Sequence, residues 1–571
     1  MNAARLLQHF ERISEAPDAV ARLRRFILDL AVRGKLVEQD PGDEPASELL
    51  ERIRAEKARQ VKEGKISREK PPIPAAANEL AFELKQGWQA ARISQILVEL
   101  QTGPFGSSLH QSDYQKGGIP VINPASIKNE RLVPIDSMSV GPATLERLAT
   151  FKLRAGDIVM ARRGEMGRCA VVSKQEDGWL CGTGSLILRL PECVFPRFFV
   201  TLIGSPFVRK YLGGSAVGAT MQNLNQSILL SLVIGLPPRD EQHRIVAKVE
   251  ELMALCNRLE AAQADRERQR DRLVAASLYR LDNGADSESF REHARFHLRY
   301  VPRLTTRPEH IQQLRQTILN LAVRGQLVVQ DPKDEPAAEL LKRIQAEKEW
   351  LVEEGKIKKQ QPLPPSAKVD APFQLPPGWL LAQIQEIFVS VTDGDHLPPP
   401  KTQGGIPFLV IGNVRSQSID FAGCRHVSEE YYNSLDPIRR PAKGDILYTL
   451  VGSYGISILI TDDRAFCVQR HIGILRPSSH VNAQFVKLAL ESRLVFDQAK
   501  ECATGIAQKT VPLSDLRRIW IPLPPFAEQR HIVTEVEKLM VLCDRLKGQL
   551  TTTQTESHRF LESTLSLALA A

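Results

Sequence analysis

An internal repeat constrains the fold of this chain more than any other feature of its sequence. Residues 23–74 reappear as residues 314–365, shifted by 291 positions, with 33 of 52 positions identical and no gap. A second block, residues 236–259, reappears as residues 523–546 with 15 of 24 positions identical. The sequence therefore predicts two halves that are built on the same frame.

The segments between the repeated blocks differ from each other. Residues 89–235 and 380–522 are nearly equal in length, but they share little beyond short fragments such as GGIP at 117–120 and 404–407. At 571 residues the chain is too long for a single core. We therefore expect two modules that keep a common frame and carry different inserts.

The first repeated block has the pattern of a helical hairpin. Residues 19–33 place apolar side chains on one helical face, and Gly34 is suited to end that helix. Asp43 can cap a second helix that Gly64 ends, and residues 334–355 repeat this arrangement. The prolines at 71–74 and 362–365 then act as spacers that lead to Gly-Trp pairs at 87–88 and 378–379.

The second repeated block has the spacing of a heptad seam, with apolar positions alternately four and three residues apart. The predicted seam residues are Ile245, Val249, Leu252, Cys256, Leu259, Ile532, Val536, Leu539, Cys543 and Leu546. A single helix over residues 239–281 would be about 60 Å long, so it needs a packing partner. We favour packing of the two seams against each other, with another protein as the alternative partner.

Each insert reads as a module of mixed helix and strand. Residues 156–172 and 444–460 predict two strands around a glycine-rich turn. Those turns, and two further pairs of polar loops at equivalent places, differ most in side-chain chemistry. Each loop taken alone is more often a structural turn, but the parallel placement of all three favours recognition surfaces.

The loops are rich in residue types that hydrogen-bond to base edges and phosphates. The predicted DNA-binding residues of the first insert are Thr102, Phe105, Ser107, Ser108, His110, Arg162, Arg163, Arg168, Gln222, Asn223 and Asn225. Those of the second are Asp395, His396, Lys401, Ser453, Tyr454, Arg470, Gln508, Lys509 and Thr510. We expect His110 and His396 to face solvent or DNA, because neither has partners at the spacing of a metal site, except that Asp393 and Asp395 flank His396.

Composition and missing motifs argue against several other classes of protein. The net charge of +8 suits a polyanionic partner without requiring one. The eight cysteines form no CxxC pair, so neither zinc sites nor disulfides are expected. No phosphate-binding loop, amino-methyltransferase, deaminase or serine-hydrolase motif occurs, which predicts a chain with no catalytic centre. Without an apolar run of membrane-spanning length or a secretory signal, we expect a cytoplasmic protein that does not contact membranes.

The repeated residues resemble those of the specificity subunits of type I restriction-modification systems. The resemblance rests on LAVRGKL, QDP, DEPASELL and EGKI, the Gly-Trp pair, the GGIP strand and the LPPxxEQ seam, and it spans nearly the whole chain in the family's order. It implies an α+β fold with a pseudo-two-fold internal repeat, in which long antiparallel, coiled-coil-like helices separate two α/β target-recognition domains.

On that resemblance the chain divides into five parts. They are an N-terminal helical region at 1–80, a target-recognition domain at 81–235, a central helical spacer at 236–370, a second target-recognition domain at 371–521 and a C-terminal helical region at 522–571. The spacer would hold the long helix 239–281 and the helical hairpin 309–355.

The resemblance also implies the function. Each target-recognition domain would bind one half of a split, asymmetric site on double-stranded DNA, and the helices would hold the two domains at a fixed spacing. Two modification subunits and the restriction subunits would dock on the helical regions and carry S-adenosylmethionine, ATP and magnesium, with no cofactor or metal on this chain. The alternatives are a scaffold that recruits those subunits without binding DNA, and an enzyme with an unrecognised active site.

Overall fold

The computed structural model describes residues 16, 18–66, 73–105, 108–215, 224–283, 287–359, 373–396, 400, 402–415, 418–505 and 508–570. The chain divides into two compact units. The first unit is Met1–Arg266 together with Gln554–Ala571, and the second is Glu267–Thr553. Both boundaries fall inside long helices, so each of these helices begins in one unit and ends in the other.

The first unit contains helices and strands in alternation, then the start of one long helix, and it also includes the end of the last helix of the chain. Apart from single turns of 3-10 helix, its elements are α1 (Ala19–Val32), α2 (Ala46–Lys62), β1 (Gln89–Arg92), α3 (Ile93–Ile96), β2 (Glu99–Thr102), β3 (Tyr114–Gln115), β4 (Ile119–Ile122), β5 (Ile127–Lys128), β6 (Arg131–Leu132), β7 (Ser139–Val140), α4 (Pro142–Arg147), β8 (Ile158–Ala161), β9 (Cys169–Val171), β10 (Leu180–Cys181), β11 (Ser185–Arg189), α5 (Pro196–Gly204), α6 (Pro206–Ser215), α7 (Gln226–Ser231), β12 (Val233–Leu236) and the first part of α8 (Arg239–Asp282).

The second unit takes up the end of α8 and repeats the pattern. Its further elements are α9 (Ser287–Leu304), α10 (Pro308–Val323), α11 (Ala337–Glu353), β13 (Leu380–Gln383), α12 (Ile384–Ile387), β14 (Phe388–Asp393), β15 (Ile406–Leu409), β16 (Val414–Arg415), β17 (Ser418–Ile419), β18 (Arg425–Val427), α13 (Glu429–Ser434), β19 (Ile446–Thr449), β20 (Ser457–Leu459), β21 (Cys467–Val468), β22 (Ile472–Pro477), α14 (Ala483–Leu490), α15 (Arg493–Cys502), α16 (Leu513–Leu516), β23 (Trp520–Leu523) and most of α17 (Phe526–Ala570).

Each unit has its own principal sheet, with the same topology in both units, and a second sheet that differs between them. The principal sheet is antiparallel, with strand order β2-β11-β8-β9 in the first unit and β14-β22-β19-β20 in the second. The other sheet has four strands in the first unit, ordered β10-β4-β7-β3, and three in the second, ordered β18-β15-β21. The predicted α+β class is confirmed, and both predicted hairpins form, with Val159 opposite Ala170 and Leu447 opposite Ile458.

A short ribbon closes each module. Strand β1 pairs with β12, which places Gln89 opposite Leu236. Strand β13 pairs with β23 in the same way, which places Leu380 opposite Leu523. The two ends of each insert therefore lie side by side, next to the start of a long helix.

The helical hairpins of the frame form close to their predicted positions. Helix α1 ends at Val32, and Gly34 follows with a φ of +68°, the left-handed conformation that favours glycine after a helix. The prediction that Asp43 caps α2 is wrong, because α2 starts at Ala46 and Pro45 occupies the capping position. Asp43 accepts instead from Arg244 of α8, at 3.0 Å from Nη1, and so links the hairpin to the long helix.

A buried tryptophan joins the start of each insert to the helix that follows the insert. In the first unit, Trp88 Nε1 donates to the Glu241 carboxylate at 3.0 Å. In the second, Trp379 Nε1 donates to the Glu528 carboxylate at 2.8 Å. Burial raises the pKa of both carboxyl groups, which the indole donors oppose.

The glutamine after each of these glutamates holds the same junction from the other side. Gln242 donates to the Pro237 carbonyl at 3.1 Å and accepts from the Phe195 backbone N–H at 3.2 Å. Gln529 makes the equivalent bonds to Pro524 and Asn482, at 3.0 and 2.9 Å. The Gly-Trp pair and the LPPxxEQ block are therefore repeated because they are the two halves of one junction.

The heptad seams pack against the short helix of the same unit. The seam of α8 lies in one core with Val20 and Ile27 of α1, and the seam of α17 lies in one core with Ile311 and Ile318 of α10. The favoured interpretation was that the two seams pack against each other, whereas the structure places each seam against a short helix of its own unit. Cys256 and Cys543 are small buried residues of these cores, and burial raises the pKa of both thiols.

The far ends of the long helices pack in the other unit. Leu561 and Leu565 of α17 are buried with Ala16 and Ala19 in the first unit. At the end of α8, buried apolar residues such as Leu278 pack with α9 in the second unit. Among the described residues, every helix is too short or too polar to span a lipid bilayer.

The buried junction gives a stability prediction. We expect Trp88→Phe to lower the free energy of unfolding by about 2–4 kcal/mol, because it removes packing volume and leaves the Glu241 carboxylate without its indole donor. Trp379→Phe should have the same effect in the second unit. Urea unfolding of the full chain measures both.

The matched control is Trp350→Phe. Trp350 is 51% exposed and its ring contacts the Lys356 ammonium, at 4.5 Å from the ring centroid. That variant should change stability by less than about 1 kcal/mol. Equal destabilisation by the buried and exposed substitutions would show that the junction does not hold the module together.

Candidate nucleic-acid interface

Backbone hydrogen bonds bring the predicted loops of the first unit together at one end of its principal sheet. Gly103 N–H donates to the Ser185 carbonyl at 2.9 Å, and Arg162 N–H donates to the Gly184 carbonyl at 2.8 Å. Leu224 N–H then donates to the Arg162 carbonyl at 3.0 Å. We call the described parts of these loops the first loop cluster, which comprises residues 102–105, 108–110, 162–168, 182–185 and 224–226.

The second unit repeats this arrangement. Gly394 N–H donates to the Ile472 carbonyl at 3.2 Å, and Leu450 N–H donates to the His471 carbonyl at 2.9 Å. Val511 N–H donates to the Leu450 carbonyl at 2.9 Å. We call this the second loop cluster, which comprises residues 393–396, 450–455, 468–472 and 508–511.

A glycine at equivalent positions allows each cluster to close. A Cβ atom at Gly103 would lie 2.2 Å from the Gly182 carbonyl oxygen. At Gly394 it would lie 1.9 Å from the Val468 carbonyl oxygen. Both distances are far below van der Waals contact, so only glycine permits the backbone of the first loop to approach the loop before β11 or β22.

Two predicted contact residues of the first loop cluster also hold the cluster itself. Thr102 Oγ1 accepts from Gln226 Nε2 at 2.8 Å, and Arg162 Nε donates to the Leu224 carbonyl at 3.0 Å. Ser108 is half-buried, and its carbonyl accepts from Arg147 Nη1 at 2.5 Å. Arg168 is half-buried too, and its Nε has no acceptor among the described residues.

The remaining predicted residues of the first loop cluster are exposed. Phe105 leaves 64% of its surface uncovered, and His110, Arg163 and Asn225 are exposed as well. Ser107, Gln222 and Asn223 lie outside the described residues. The exposed set therefore combines one aromatic ring, one guanidinium, one imidazole and one amide.

An acidic pair organises the start of the second loop cluster. Asp395 accepts from the Tyr431 hydroxyl at 2.5 Å and from the His396 backbone N–H at 2.7 Å. His396 Nε2 lies 3.1 Å from the Asp393 carboxylate, and Arg439 donates to the Gly394 carbonyl at 2.9 Å. Burial and Asp395 raise the pKa of Tyr431, so its hydroxyl keeps its proton and donates.

The other predicted residues of the second loop cluster lie on its adjoining loops. Tyr454 stacks on Phe496, with ring centroids 5.7 Å apart and an interplanar angle of 12°. Thr510 pairs with Thr504 by two backbone bonds. The exposed predicted residues here are His396, Ser453, Arg470, Gln508 and Lys509. Lys401 lies outside the described residues.

Some residues that shape the clusters were missed in the sequence. Gln226, Tyr431 and Arg439 position the predicted loops, and the loop before β11 was not selected. A sequence signal for the loop before β11 was the glycine-rich run CGTGS at 181–185.

The clusters offer hydrogen bonds and charge, with no metal-binding arrangement in the parts of the chain that the structure describes. No group of three or more His, Cys, Asp or Glu residues there is placed to hold a metal ion. Burial and the neighbouring Arg470 lower the pKa of His471, so this imidazole is neutral near pH 7. The first cluster is basic, whereas the second combines cations with the carboxylates of Asp393 and Asp395.

Comparison with known families identifies the frame that carries these clusters. The profile described as the type I restriction modification DNA specificity domain matches residues 85–266 and 378–553. The chain belongs to the family of type I restriction-modification specificity subunits. The first match begins two residues before Gly87-Trp88, the second begins at Gly378, and each includes the loop cluster of its unit.

Individual relatives cover the chain almost completely. The type I restriction enzyme EcoEI specificity subunit of Escherichia coli is 32% identical, over 94% of this chain and 92% of its own length. The EcoAI specificity subunit of the same organism is 30% identical over the same shares. The crystal structure of the HsdS subunit from Thermoanaerobacter tengcongensis covers 86% of this chain and 98% of its own, with 19% identity and a TM-score of 0.39.

The close approach at Gly394 gives a prediction for the second loop cluster. We expect Gly394→Ala to destabilise the second unit by about 1–3 kcal/mol, because the added methyl group collides with a backbone carbonyl that cannot move without breaking the sheet. Hydrogen exchange should also speed up at the backbone amides of residues 468–472.

Gly404→Ala is the matched control in the same insert. A Cβ atom at Gly404 would meet no other atom within 4 Å, and the backbone there is not left-handed. This variant should therefore match the parent in stability and exchange. Unchanged exchange in Gly394→Ala would mean that the cluster does not depend on this approach.

Proposed function

We propose that this specificity subunit reads a bipartite, asymmetric DNA site, with each loop cluster contacting one half. The observation that carries the proposal is that the two units share a frame and a principal sheet but present different side chains at equivalent loops. A shared frame delivers both clusters in the same way, and different loops read different bases. Two identical clusters would predict a palindromic site instead.

The exposed residues of the first loop cluster suit direct readout of bases. Arg163 has the guanidinium that pairs with guanine O6 and N7, and Asn225 has the amide that pairs with adenine. His110 can hydrogen-bond to a base or a phosphate, and exposed Phe105 can pack on a sugar or a thymine methyl group. Thr102 and Arg162 act mainly as positioning residues, because their side chains already have partners within the cluster.

The second loop cluster suits a different sequence. Lys509 and Arg470 can contact guanine or phosphate, and Gln508 can pair with adenine. Asp393 and Asp395 act as positioning residues here, because their carboxylates already have partners within the cluster, and they make this cluster less basic than the first. We therefore expect the two half-sites to differ in base composition as well as in order.

The rest of the assembly follows from membership of the family. Modification and restriction subunits would dock on the helical regions. Because the helical frame is repeated, it would offer two equivalent places for two modification subunits. We propose that S-adenosylmethionine, ATP and magnesium bind to those partners and that this chain catalyses no step itself. Its part is to hold DNA in the register that the partners require.

Module exchange tests this proposal. Residues 93–232 lie between strands β1 and β12, so a graft there joins at a paired ribbon and leaves the junction of Trp88 and Glu241 intact. We expect a chimera carrying the corresponding segment of a relative to methylate a site in which only one half has changed. Methylome sequencing of cells expressing the complete system reads both halves.

The control is the same exchange at residues 384–519 of the second module, which should change the other half only. Methylation at a site with both halves altered would contradict modular readout. Loss of all sequence preference, with subunit assembly retained, would favour a scaffold that does not read DNA.

A further inference from the structure

Helix α9 carries a row of arginines that lies outside both loop clusters. The row has one arginine every fourth residue, and all four are exposed. Its members, called here the α9 arginine face, are Arg291, Arg295, Arg299 and Arg303. At about 1.5 Å per residue the row extends over roughly 18 Å of helix.

The other side of α9 is fixed to the protein. Leu304 is buried in one core with the end of α8, and Phe290 and Ala294 pack against that core. His297 is 4% exposed, and its Nδ1 lies 2.9 Å from Ser277 Oγ of α8. The α9 arginine face is therefore presented by a packed helix, and its direction is set by the core beneath it.

The charge of the α9 arginine face is not neutralised by carboxylates in the described part of the chain. Among the residues that the structure describes, none of its four guanidinium groups lies within ion-pair distance of an Asp or Glu. Helix α2 differs, because there Arg52, Arg54 and Arg59 pair with glutamates at 2.7, 2.6 and 2.7 Å. Carboxylates of this chain neutralise the arginines of α2, whereas the α9 arginine face is available to bind an anionic partner.

We infer that the α9 arginine face binds the phosphate backbone of DNA without reading its sequence. This inference rests on the proposed function, which supplies the DNA. Successive arginines lie about 6 Å apart along the helix axis, close to the axial rise of two phosphates on one strand, about 6.8 Å. Arginine is also the side chain that bonds phosphate oxygens with two parallel N–H groups.

The neighbours of the row favour a nucleic-acid backbone over an acidic protein surface. Glu288 and Glu292 also lie on α9, so two carboxylates accompany four guanidinium groups on this helix. The exposed ring of Phe296 packs on Tyr300, at 4.9 Å between centroids, and Arg299 lies over that tyrosine at 5.7 Å. An apolar pair beside a cationic row can pack on sugars while the arginines bond phosphates.

The test uses the full chain in complex with its modification subunits. The variant is Arg291→Gln/Arg295→Gln/Arg299→Gln, in which glutamine keeps the helix propensity and removes three charges. Affinity is measured from low to physiological salt for two duplexes of equal length. One carries the sequence that the complete system methylates, and the other carries a scrambled sequence.

Affinity falls as salt rises, so the slope of log affinity against log salt concentration is negative. We expect its magnitude to decrease by about 3, one for each phosphate that the variant no longer binds. Affinity for both duplexes should fall by the same factor, so the ratio between them stays unchanged. Replacing the same three arginines by lysine should restore most of the slope, because lysine binds phosphate as a point charge.

The charge-matched control is Arg52→Gln/Arg54→Gln/Arg59→Gln, which removes three paired cations from α2 and should leave the slope within about 1 of the parent. An unchanged slope in the α9 variant would overturn the inference. So would loss of modification subunits from that variant, since the face would then bind protein. Failure of the parent complex to prefer the methylated site would instead count against the proposed function.

Discussion

The buried contact between an indole and a carboxylate is the interaction on which both units depend. Trp88 stands at the start of the first insert and Glu241 in the first turn of α8, so one hydrogen bond ties the beginning of a module to the helix that leaves it. Trp379 and Glu528 repeat the contact. Because the ends of each insert are fixed there, the loops between them can change without altering this contact.

The sequence revealed the parts of the fold that depend on local pattern. The predicted end of the long helix, residue 281, lies one residue from its end at Asp282, because apolar spacing and the lack of a breaker are local properties. The partner of the seam was not predictable in this way, since a heptad pattern indicates that a face is buried but not by what. Asp43 was misread for a related reason, because its partner Arg244 lies 201 residues away.

The candidate interface was predictable at the level of loops and not of side chains. Three loops at equivalent places in two different inserts pointed to a shared surface, and each set does converge. The roles of single residues depend on distant partners, as in the bond from Gln226 to Thr102 across 124 residues or from Tyr431 to Asp395 across 36. Residue type alone cannot separate a side chain that reads DNA from one that braces the loop.

The two proposals assign this subunit two kinds of DNA contact with different physical consequences. The base contacts proposed for the loop clusters would depend on sequence, so they would set the ratio between affinity for the target and for other DNA. Phosphate contacts from the α9 arginine face would depend on salt and not on sequence, so they would raise both affinities equally. Exchange of an insert would therefore change the target without loss of general affinity, because Arg291 and its neighbours belong to the helical frame. A subunit that must acquire new targets by changing its loops benefits from keeping this source of affinity outside them.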